Sequence, residues 1–167
     1  MPQTPSAMAD QRSEQQKVAD STVLVVDDNE QNLELLVAYL DALQCSVDTA
    51  VDGVDALAKV ADRTPDLILL DVMMPRMSGF EVCRKLKSDP ETRDVPIIMV
   101  TALTELGDIE RGVECGTDDF ISKPVNRIEL VTRVRSLLRV RHLKDELDRT
   151  LAYLAEVESG RLSEQDA

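Results

Sequence analysis

The sequence predicts an α/β fold: a doubly wound, five-stranded parallel sheet followed by a long C-terminal helix. Three continuous apolar runs, TVLVV (22–26), DLILL (66–70) and PIIMV (96–100), are typical of strands that are covered on both faces. Two shorter runs, CSVDTA (45–50) and DFI (119–121), are interpreted as short strands. Helical patterns separate the runs, and this alternation favours a parallel sheet with helices on both sides.

Helical spacing fills the segments between the strands. Apolar residues recur three and four positions apart, which predicts helices over residues 29–43, 53–62, 79–88 and 105–115 and a longer helix from Asn126. Ser78 with Glu81, and Asn126 with Glu129, have the spacing of a capping box, which marks the start of a helix. The strand–helix units together predict one folded domain over residues 21–138.

The two ends of the chain lie outside this repeating pattern. Residues 1–20 are polar and show no period, so we expect a disordered leader. The last helix continues past the domain, and we expect it to end near Glu158, ahead of Gly160. This gives a helical extension over residues 139–158 and a polar tail over residues 159–167.

The extension keeps an apolar stripe although nothing of its own domain remains for it to pack on. The stripe, with spacings close to a heptad, consists of Val140, Leu143, Leu147, Leu151, Leu154 and Val157. We expect a short coiled coil that forms a homodimer. A helical linker towards an output domain also fits the pattern, as does a basic first turn that contacts the acidic face of a partner.

Composition excludes several classes of protein. The net charge of −13, from 32 acidic and 19 basic residues, argues against a nucleic-acid binder, because such proteins are usually basic. No apolar run has the roughly 20 residues of a membrane helix, and the first residues lack the apolar stretch of a signal peptide. We therefore expect a cytoplasmic protein without membrane insertion, and three cysteines without a CxxC pair agree with a reducing compartment.

Charged and polar residues follow the predicted strands at one edge of the sheet. They are Asp27 and Asp28 after the first strand, Asp71 after the third, Thr101 after the fourth and Lys123 after the fifth. Because open parallel sheets bind ligands at the carboxyl ends of their strands, we expect these side chains to converge. Singly, such an Asp is often a helix N-cap and such a Lys a surface residue; the five together favour a reactive site.

Three neighbouring carboxylates repel one another, so they cannot all stay ionised unless a cation binds between them. A hard divalent ion such as Mg²⁺ binds one or two carboxylates and keeps its other positions for water and phosphate oxygens. One carboxylate can then act as a nucleophile that accepts a phosphoryl group. Lys123 would neutralise charge on that group and Thr101 would donate a hydrogen bond to it. The sequence thus predicts a magnesium-dependent phosphoryl-transfer site.

The motifs at these positions resemble those of a known family. VLVVDD, LLDVMMPRMSG, MVTA and FISKP occur in the order found in receiver domains of two-component response regulators, and the resemblance covers roughly residues 22–138. The segment from Asp71 to Leu103 is similar to receivers attached to diguanylate-cyclase output domains. The resemblance implies a flavodoxin-like strand order 2-1-3-4-5.

The resemblance also implies a role for each residue of the acidic edge. Asp71 would be the phosphoacceptor. Asp28 would bind Mg²⁺ directly and Asp27 largely through water. The backbone carbonyl of Met73 would complete the protein ligands, which makes Mg²⁺ the expected cofactor.

Further implied roles concern the response to phosphorylation. Thr101 and Lys123 would hold the phosphoryl oxygens. Phe120 would be the aromatic switch that turns inward when Thr101 is drawn to the phosphate, and the bond between Lys123 and Pro124 would be cis. An ordinary core ring is the alternative for Phe120.

The function that follows is a stand-alone response regulator receiver. A sensor histidine kinase or a histidine phosphotransfer protein would be the phosphoryl donor, and a downstream protein or a dimer surface would read the change. We expect no enzyme activity beyond the receiver's own phosphorylation and dephosphorylation. Two alternatives stay open: a receiver fragment of a larger regulator, and a constitutive dimerising adaptor with an idle site.

Overall fold

The computed structural model describes residues 13–102 and 106–165. Five parallel strands form one sheet: β1 Thr22–Val26, β2 Ser46–Ala50, β3 Leu67–Asp71, β4 Ile97–Thr101 and β5 Asp119–Ser122. Their order across the sheet is β2-β1-β3-β4-β5. The predicted doubly wound α/β fold, with strand order 2-1-3-4-5, is confirmed.

Helices alternate with the strands along the chain. They are α1 Glu30–Leu40, α2 Gly53–Asp62, α3 Gly79–Ser88, α4 Leu106–Cys115 and α5 Arg127–Gln165. A short 3₁₀ turn over Asp41–Leu43 leads from α1 to β2. Polar side chains cap four of the helices by accepting a hydrogen bond from the N–H three residues on: Asn29 for α1, Asp52 for α2, Ser78 for α3 and Asn126 for α5.

Each face of the sheet buries its own apolar cluster. Successive side chains of a strand point to opposite faces, so Val23 and Val25 pack towards α1 and α5 while Leu24 and Val26 pack towards α2 and α3. With helices on both sides, the three inner strands β1, β3 and β4 are nearly all apolar, which explains the three continuous runs in the sequence.

The N-terminal segment differs from the prediction. Residues 13–19 form a helix, where we expected a disordered leader; residues 1–12 lie outside the described part of the chain. The cause is tertiary. Val18 is buried in the same apolar cluster as Leu40 and Leu138, and this burial stabilises a segment whose own sequence shows no helical period.

The C-terminal helix is also longer than predicted. Helix α5 has 39 residues and continues to Gln165, past the expected end near Glu158. A single glycine inside a helix costs only about 1 kcal/mol relative to alanine, so Gly160 does not stop a helix that is already formed. Within the described ranges, no helix is both long enough and apolar enough to cross a membrane.

Candidate functional site

Three carboxylates meet at the carboxyl edge of the sheet. Asp27 and Asp28 follow β1, and Asp71 is the last residue of β3 rather than the first residue after it. The two strands are neighbours, with Val26 beside Leu70. One oxygen from each of the three carboxylates lies within 4.8 Å of the others. The structure thus brings the three predicted acids together.

The backbone directs the two buried carboxylates of this cluster. Asp27 accepts a hydrogen bond from the backbone N–H of Asn29 at 2.9 Å. The carboxylate of Asp71 accepts one from the backbone N–H of Met73. Gly79 opens α3 so close to the end of β3 that a Cβ there would come within 2.9 Å of the Cα of Val72. A glycine is therefore needed for α3 to begin beside the acidic cluster.

Lys123 brings one positive charge to these acids. Its ammonium nitrogen lies 3.2 Å from Oδ1 of Asp71 and 3.4 Å from Oδ2 of Asp27. The residue follows β5, and the peptide bond between Lys123 and Pro124 is cis, as the resemblance implied. The N–H of Lys123 donates to the carbonyl of Thr101 at 2.9 Å, which joins this loop to the end of β4.

The charges of the cluster are not balanced. Burial raises the pKa of Asp71, the carboxylate of Asp27 raises it further, and Lys123 opposes part of the rise. Burial by itself would lower the pKa of Lys123, but the charges of Asp71 and Asp27 outweigh it and the pKa of the ammonium is raised. Lys123 therefore stays charged, and three carboxylates share one fixed cation.

This donor set fits a divalent cation with oxygen ligands. Asp27 and Asp71 are buried and rigidly placed, while Asp28 is exposed and leaves one side open to solvent. Mg²⁺ suits such a site because it binds few carboxylates and retains several water or phosphate ligands. The negative charge that Lys123 leaves uncompensated is what such an ion neutralises.

Thr101 lies at the end of the next strand. It is the last residue of β4, is buried, and pairs in register with Ser122 of β5. Because β4 is the neighbour of β3, with Val100 beside Asp71, the threonine stands one strand away from the acidic cluster. Its position at this edge agrees with the sequence prediction.

Phe120 does not join the cluster. It lies within β5 beside Met99, and its half-buried ring packs against the backbone of α4 at Gly112. A Cβ on Gly112 would overlap that ring. Sequence reasoning did not single out Gly112, because a glycine inside a helical pattern is visible only as a loss of helix propensity.

A loop contact beside the site was also missed. Arg76, in the turn between β3 and α3, has a positive φ of 69° and its guanidinium lies 3.3 Å from the carboxylate of Asp52. This ion pair connects the turn after Asp71 with the turn after β2. The two residues are 24 positions apart, so nothing in the local sequence pattern could indicate the pair.

Comparison with known proteins agrees with this geometry. Residues 23–135 match the response regulator receiver domain family. The response regulator PleD of Caulobacter vibrioides is 54% identical over 125 residues, which cover 75% of this chain and 28% of PleD. RpaA of Synechocystis, a DNA-binding dual master transcriptional regulator, is 39% identical over 117 residues, which cover 70% of this chain and 48% of RpaA.

A solved structure shows the same architecture. The signal receiver domain of a signal transduction histidine kinase from Syntrophus aciditrophicus superimposes with a TM-score of 0.67 at 36% identity and covers 71% of this chain and 89% of that domain. The chain spans less than half the length of PleD and of RpaA, so the similarity concerns the receiver and not their other parts. The family match extends over most of the folded part, and the chain belongs to the response regulator receiver domains.

Proposed function

We propose that Asp71 accepts a phosphoryl group from a phosphohistidine donor, either a sensor histidine kinase or a histidine phosphotransfer protein. The observation that carries this proposal is the position of Asp71: a buried carboxylate within 4.8 Å of two further acids and 3.2 Å from the ammonium of Lys123. Few functions other than handling a cation and an anionic group explain this concentration of charge.

Each residue has a defined part in the reaction. A carboxylate oxygen of Asp71 attacks the phosphorus, the bond between phosphorus and the donor imidazole nitrogen breaks, and the imidazole leaves with the electron pair. Asp27, Asp28, Asp71 and the carbonyl of Met73 would hold Mg²⁺, and the bound ion would neutralise charge on the transferred oxygens. Lys123 exchanges its contact with Asp71 for a phosphoryl oxygen and stabilises the charge there.

Thr101 carries the signal away from the site. Its hydroxyl donates a hydrogen bond to the phosphoryl group, which draws the end of β4 towards Asp71. Phe120 then moves relative to α4, where its ring now rests on Gly112. The surface formed by α4, β5 and α5 changes between two populations, and a downstream protein reads that change.

The donor has a surface on which to dock. A groove of about 410 Å³ opens beside Asp27 and Lys123, between α1 and the loop that leads from β5 to α5, and its apolar wall includes Leu35, Tyr39 and Pro124. Leu35 is 45% exposed, which is high for a leucine next to a charged site. A helical donor that covers this groove would place its phosphohistidine over Asp71 and exclude water from the transfer.

The output involves a second copy of the chain. The apolar stripe on the extended part of α5 is exposed and pairs two copies into a homodimer, which presents two receiver surfaces to a downstream protein.

The cysteines suit a protein of the cytoplasm, where sensor kinases phosphorylate their receivers. Cys45, Cys83 and Cys115 are free thiols, as is usual in that reducing compartment.

The assignment of Asp71 is tested by phosphoryl transfer. Incubated with a phosphohistidine donor and Mg²⁺, the wild-type chain gains an acid-stable, hydroxylamine-sensitive label, and Asp71→Asn gains none, because an amide cannot form the acyl phosphate. Asp62→Asn removes an exposed carboxylate on α2 and should label like the wild type. Labelling of Asp71→Asn at the wild-type level would refute the assignment.

A further inference from the structure

The extended part of α5 leaves one face uncovered. Five side chains on this face are 50–60% exposed although they are aliphatic: Val140, Leu143, Leu147, Leu151 and Leu154. They recur at spacings of three and four residues, so they form one continuous stripe along the helix. An apolar stripe of this length on an otherwise polar helix indicates a protein partner.

The N-terminal helix covers one neighbouring side of α5. Glu14 lies 3.6 Å from Arg139, and Lys17 forms an ion pair with Glu146. The hydroxyl of Ser21 donates to a backbone carbonyl at 2.7 Å and must therefore accept from Nε2–H of His142, which lies at 2.8 Å. These contacts hold the helix formed by residues 13–19 beside the stripe without hiding it.

Loops at the amino edge of the sheet cover the other side. Arg141 donates to the carbonyl of Asp94 at 3.0 Å and lies 3.7 Å from the carboxylate of Asp66. Lys144 lies 2.8 Å from the carboxylate of Asp94. The N-terminal helix lies on one side of this part of α5 and the loops at the amino edge of the sheet lie on the other. These contacts fix the orientation of the helix relative to the receiver, and the stripe is the side that remains for association.

Charge along α5 is divided into two halves. Residues 133–144 contain five basic and no acidic side chains, whereas residues 145–158 contain five acidic side chains and one basic one. In a parallel pair, the basic half of one helix would lie beside the basic half of the other, and the acidic half beside the acidic half, so like charges would repel. Two copies that ran antiparallel about Leu147 would place residues 150–161 of one copy opposite the basic residues 133–144 of the other. Glu156 and Glu158 would then lie along the basic stretch of the partner, which is favourable.

The spacing of the stripe is symmetric about Leu147. On either side of it the intervals are four and then three residues, so an antiparallel pair sets Leu147 against its own copy and Leu143 against Leu151. Glu158 lies three turns beyond Leu147 on the same face. In a parallel pair Glu158 would meet its own copy, while in an antiparallel pair it lies opposite the exposed Ser136.

We propose that two copies of the chain pair through this stripe with their α5 helices antiparallel and a twofold axis at Leu147. This arrangement rests on the homodimer proposed above and specifies its geometry. Each acidic helix end then lies along the solvent face of α5 of the other receiver, and the two N-terminal helices lie on the same side of the pair. The two receivers point in opposite directions.

Disulfide trapping in the full chain distinguishes the two directions. In a Cys45→Ser background, which removes the half-buried native thiol, cysteines are introduced singly at positions 140, 147 and 154. After mild oxidation we expect Leu147→Cys to cross-link to itself and Leu154→Cys not to. A mixture of Val140→Cys and Leu154→Cys, one of them tagged to change its mass, should give the mixed dimer.

The controls separate a wrong direction from an absent dimer. Arg149→Cys lies on the opposite side of the helix from Leu147 and should not cross-link. Self-linking of Leu154→Cys without the mixed dimer would establish a parallel pair and overturn the proposal. A monomer mass by light scattering, with no cross-link at any position, would overturn both the homodimer and its geometry while leaving the phosphorylation of Asp71 to its own test.

Discussion

At the level of single residues, the site contains buried carboxylates whose negative charge lowers the stability of the fold. Asp71 is 4% exposed and lies near Asp27, which is 1% exposed, so both carboxylates are buried, and the ammonium of Lys123 lies beside them. Such an arrangement lowers stability in the absence of a cation, because buried like charges repel one another strongly. Binding sites often retain groups that weaken the fold.

We therefore expect Asp71→Asn to raise the free energy of unfolding of the metal-free protein at neutral pH by about 1–2 kcal/mol. The pKa of Asp71 is higher in the folded chain than in the unfolded one, so the charged carboxylate destabilises the fold as pH rises above the ordinary aspartate range. Urea unfolding in EDTA measures the change. Mg²⁺ should then stabilise the wild type more than Asp71→Asn.

Asp62→Asn, which removes an exposed carboxylate, is the matched control and should change stability little. Equal stabilisation of Asp71→Asn and the wild type by Mg²⁺ would contradict the view that Asp71 is a ligand. A loss of stability in Asp71→Asn without metal would show that the ion pair with Lys123 outweighs the repulsion from Asp27.

Gly112 provides a second test at this scale. A methyl group there would overlap the ring of Phe120, so Gly112→Ala should cost about 1–3 kcal/mol of stability, measured by urea unfolding. The cost should largely disappear when Phe120→Ala is added, because the ring is what the methyl meets. Gly160→Ala has nothing within 4 Å of the new Cβ and should stabilise α5 slightly.

If Gly112→Ala costs the same with and without Phe120→Ala, the ring is not what confines the glycine. A Phe120 that is free to leave α4 is what the proposed switch requires. Gly112→Ala and the double variant with Phe120→Ala should therefore also differ in a second quantity. This is the gain in the free energy of unfolding when beryllofluoride, a mimic of the phosphoryl group, is bound.

At the level of elements, the N-terminal helix and α5 depend on each other. Residues 13–19 bury one apolar side chain, Val18, and otherwise contact α5 through ion pairs that are largely exposed. Exposed ion pairs contribute little individually, so burial of Val18 is the main attachment. The hydrogen bond between Ser21 and His142 adds direction to this attachment.

Val18→Ala should accordingly destabilise the protein by about 1–3 kcal/mol and increase amide exchange in the N-terminal helix. Gln15→Ala, on the exposed side of the same helix, is the matched control and should leave both measurements close to wild type. Hydrogen exchange followed by mass spectrometry resolves the segment. Rapid exchange of residues 13–19 already in the wild type would mean that the helix is not held by Val18.

At the level of the whole molecule, the acidic cluster and the apolar stripe of α5 lie at different ends. The acidic cluster occupies the carboxyl edge of the sheet, while α5 is anchored at the opposite edge by Arg141 and Lys144, through Asp66 and Asp94. Among the described residues, neither those of α4 nor Phe120 contribute to these anchors. Pairing of two copies should therefore not depend on phosphorylation, and the switch should act on the α4 surface of each receiver.

Light scattering after size exclusion tests this separation. We expect a dimer mass with Mg²⁺ both in the presence and in the absence of beryllofluoride. Leu147→Asp should give a monomer, because it buries a charge at the centre of the pair, and should still be phosphorylated. Tyr153→Asp adds the same charge off the stripe and should remain a dimer. A dimer that appears only with beryllofluoride would contradict the separation.

Much of the fold and the site could be predicted from particular patterns. The apolar run before Asp27 and Asp28 predicts a covered strand, and strand ends in a parallel sheet share one edge, so Asp71 and Lys123 had to lie nearby. What could not be predicted depends on contacts between distant segments. The packing of the Phe120 ring against Gly112 and the ion pair between Arg76 and Asp52 are not indicated by the spacing of residues in the local sequence.

The sequence by itself determined the α/β alternation, the strand order through its family motifs, and the residues of the acidic edge, because hydrophobic period and motif order are local properties. Only the tertiary structure decided that residues 13–19 are helical, since their stability comes from burying Val18 against α1 and α5. It also decided which face of the extended helix is free. That depends on Glu14, Asp66 and Asp94 meeting α5 across long stretches of chain, and such encounters exist only in the folded molecule.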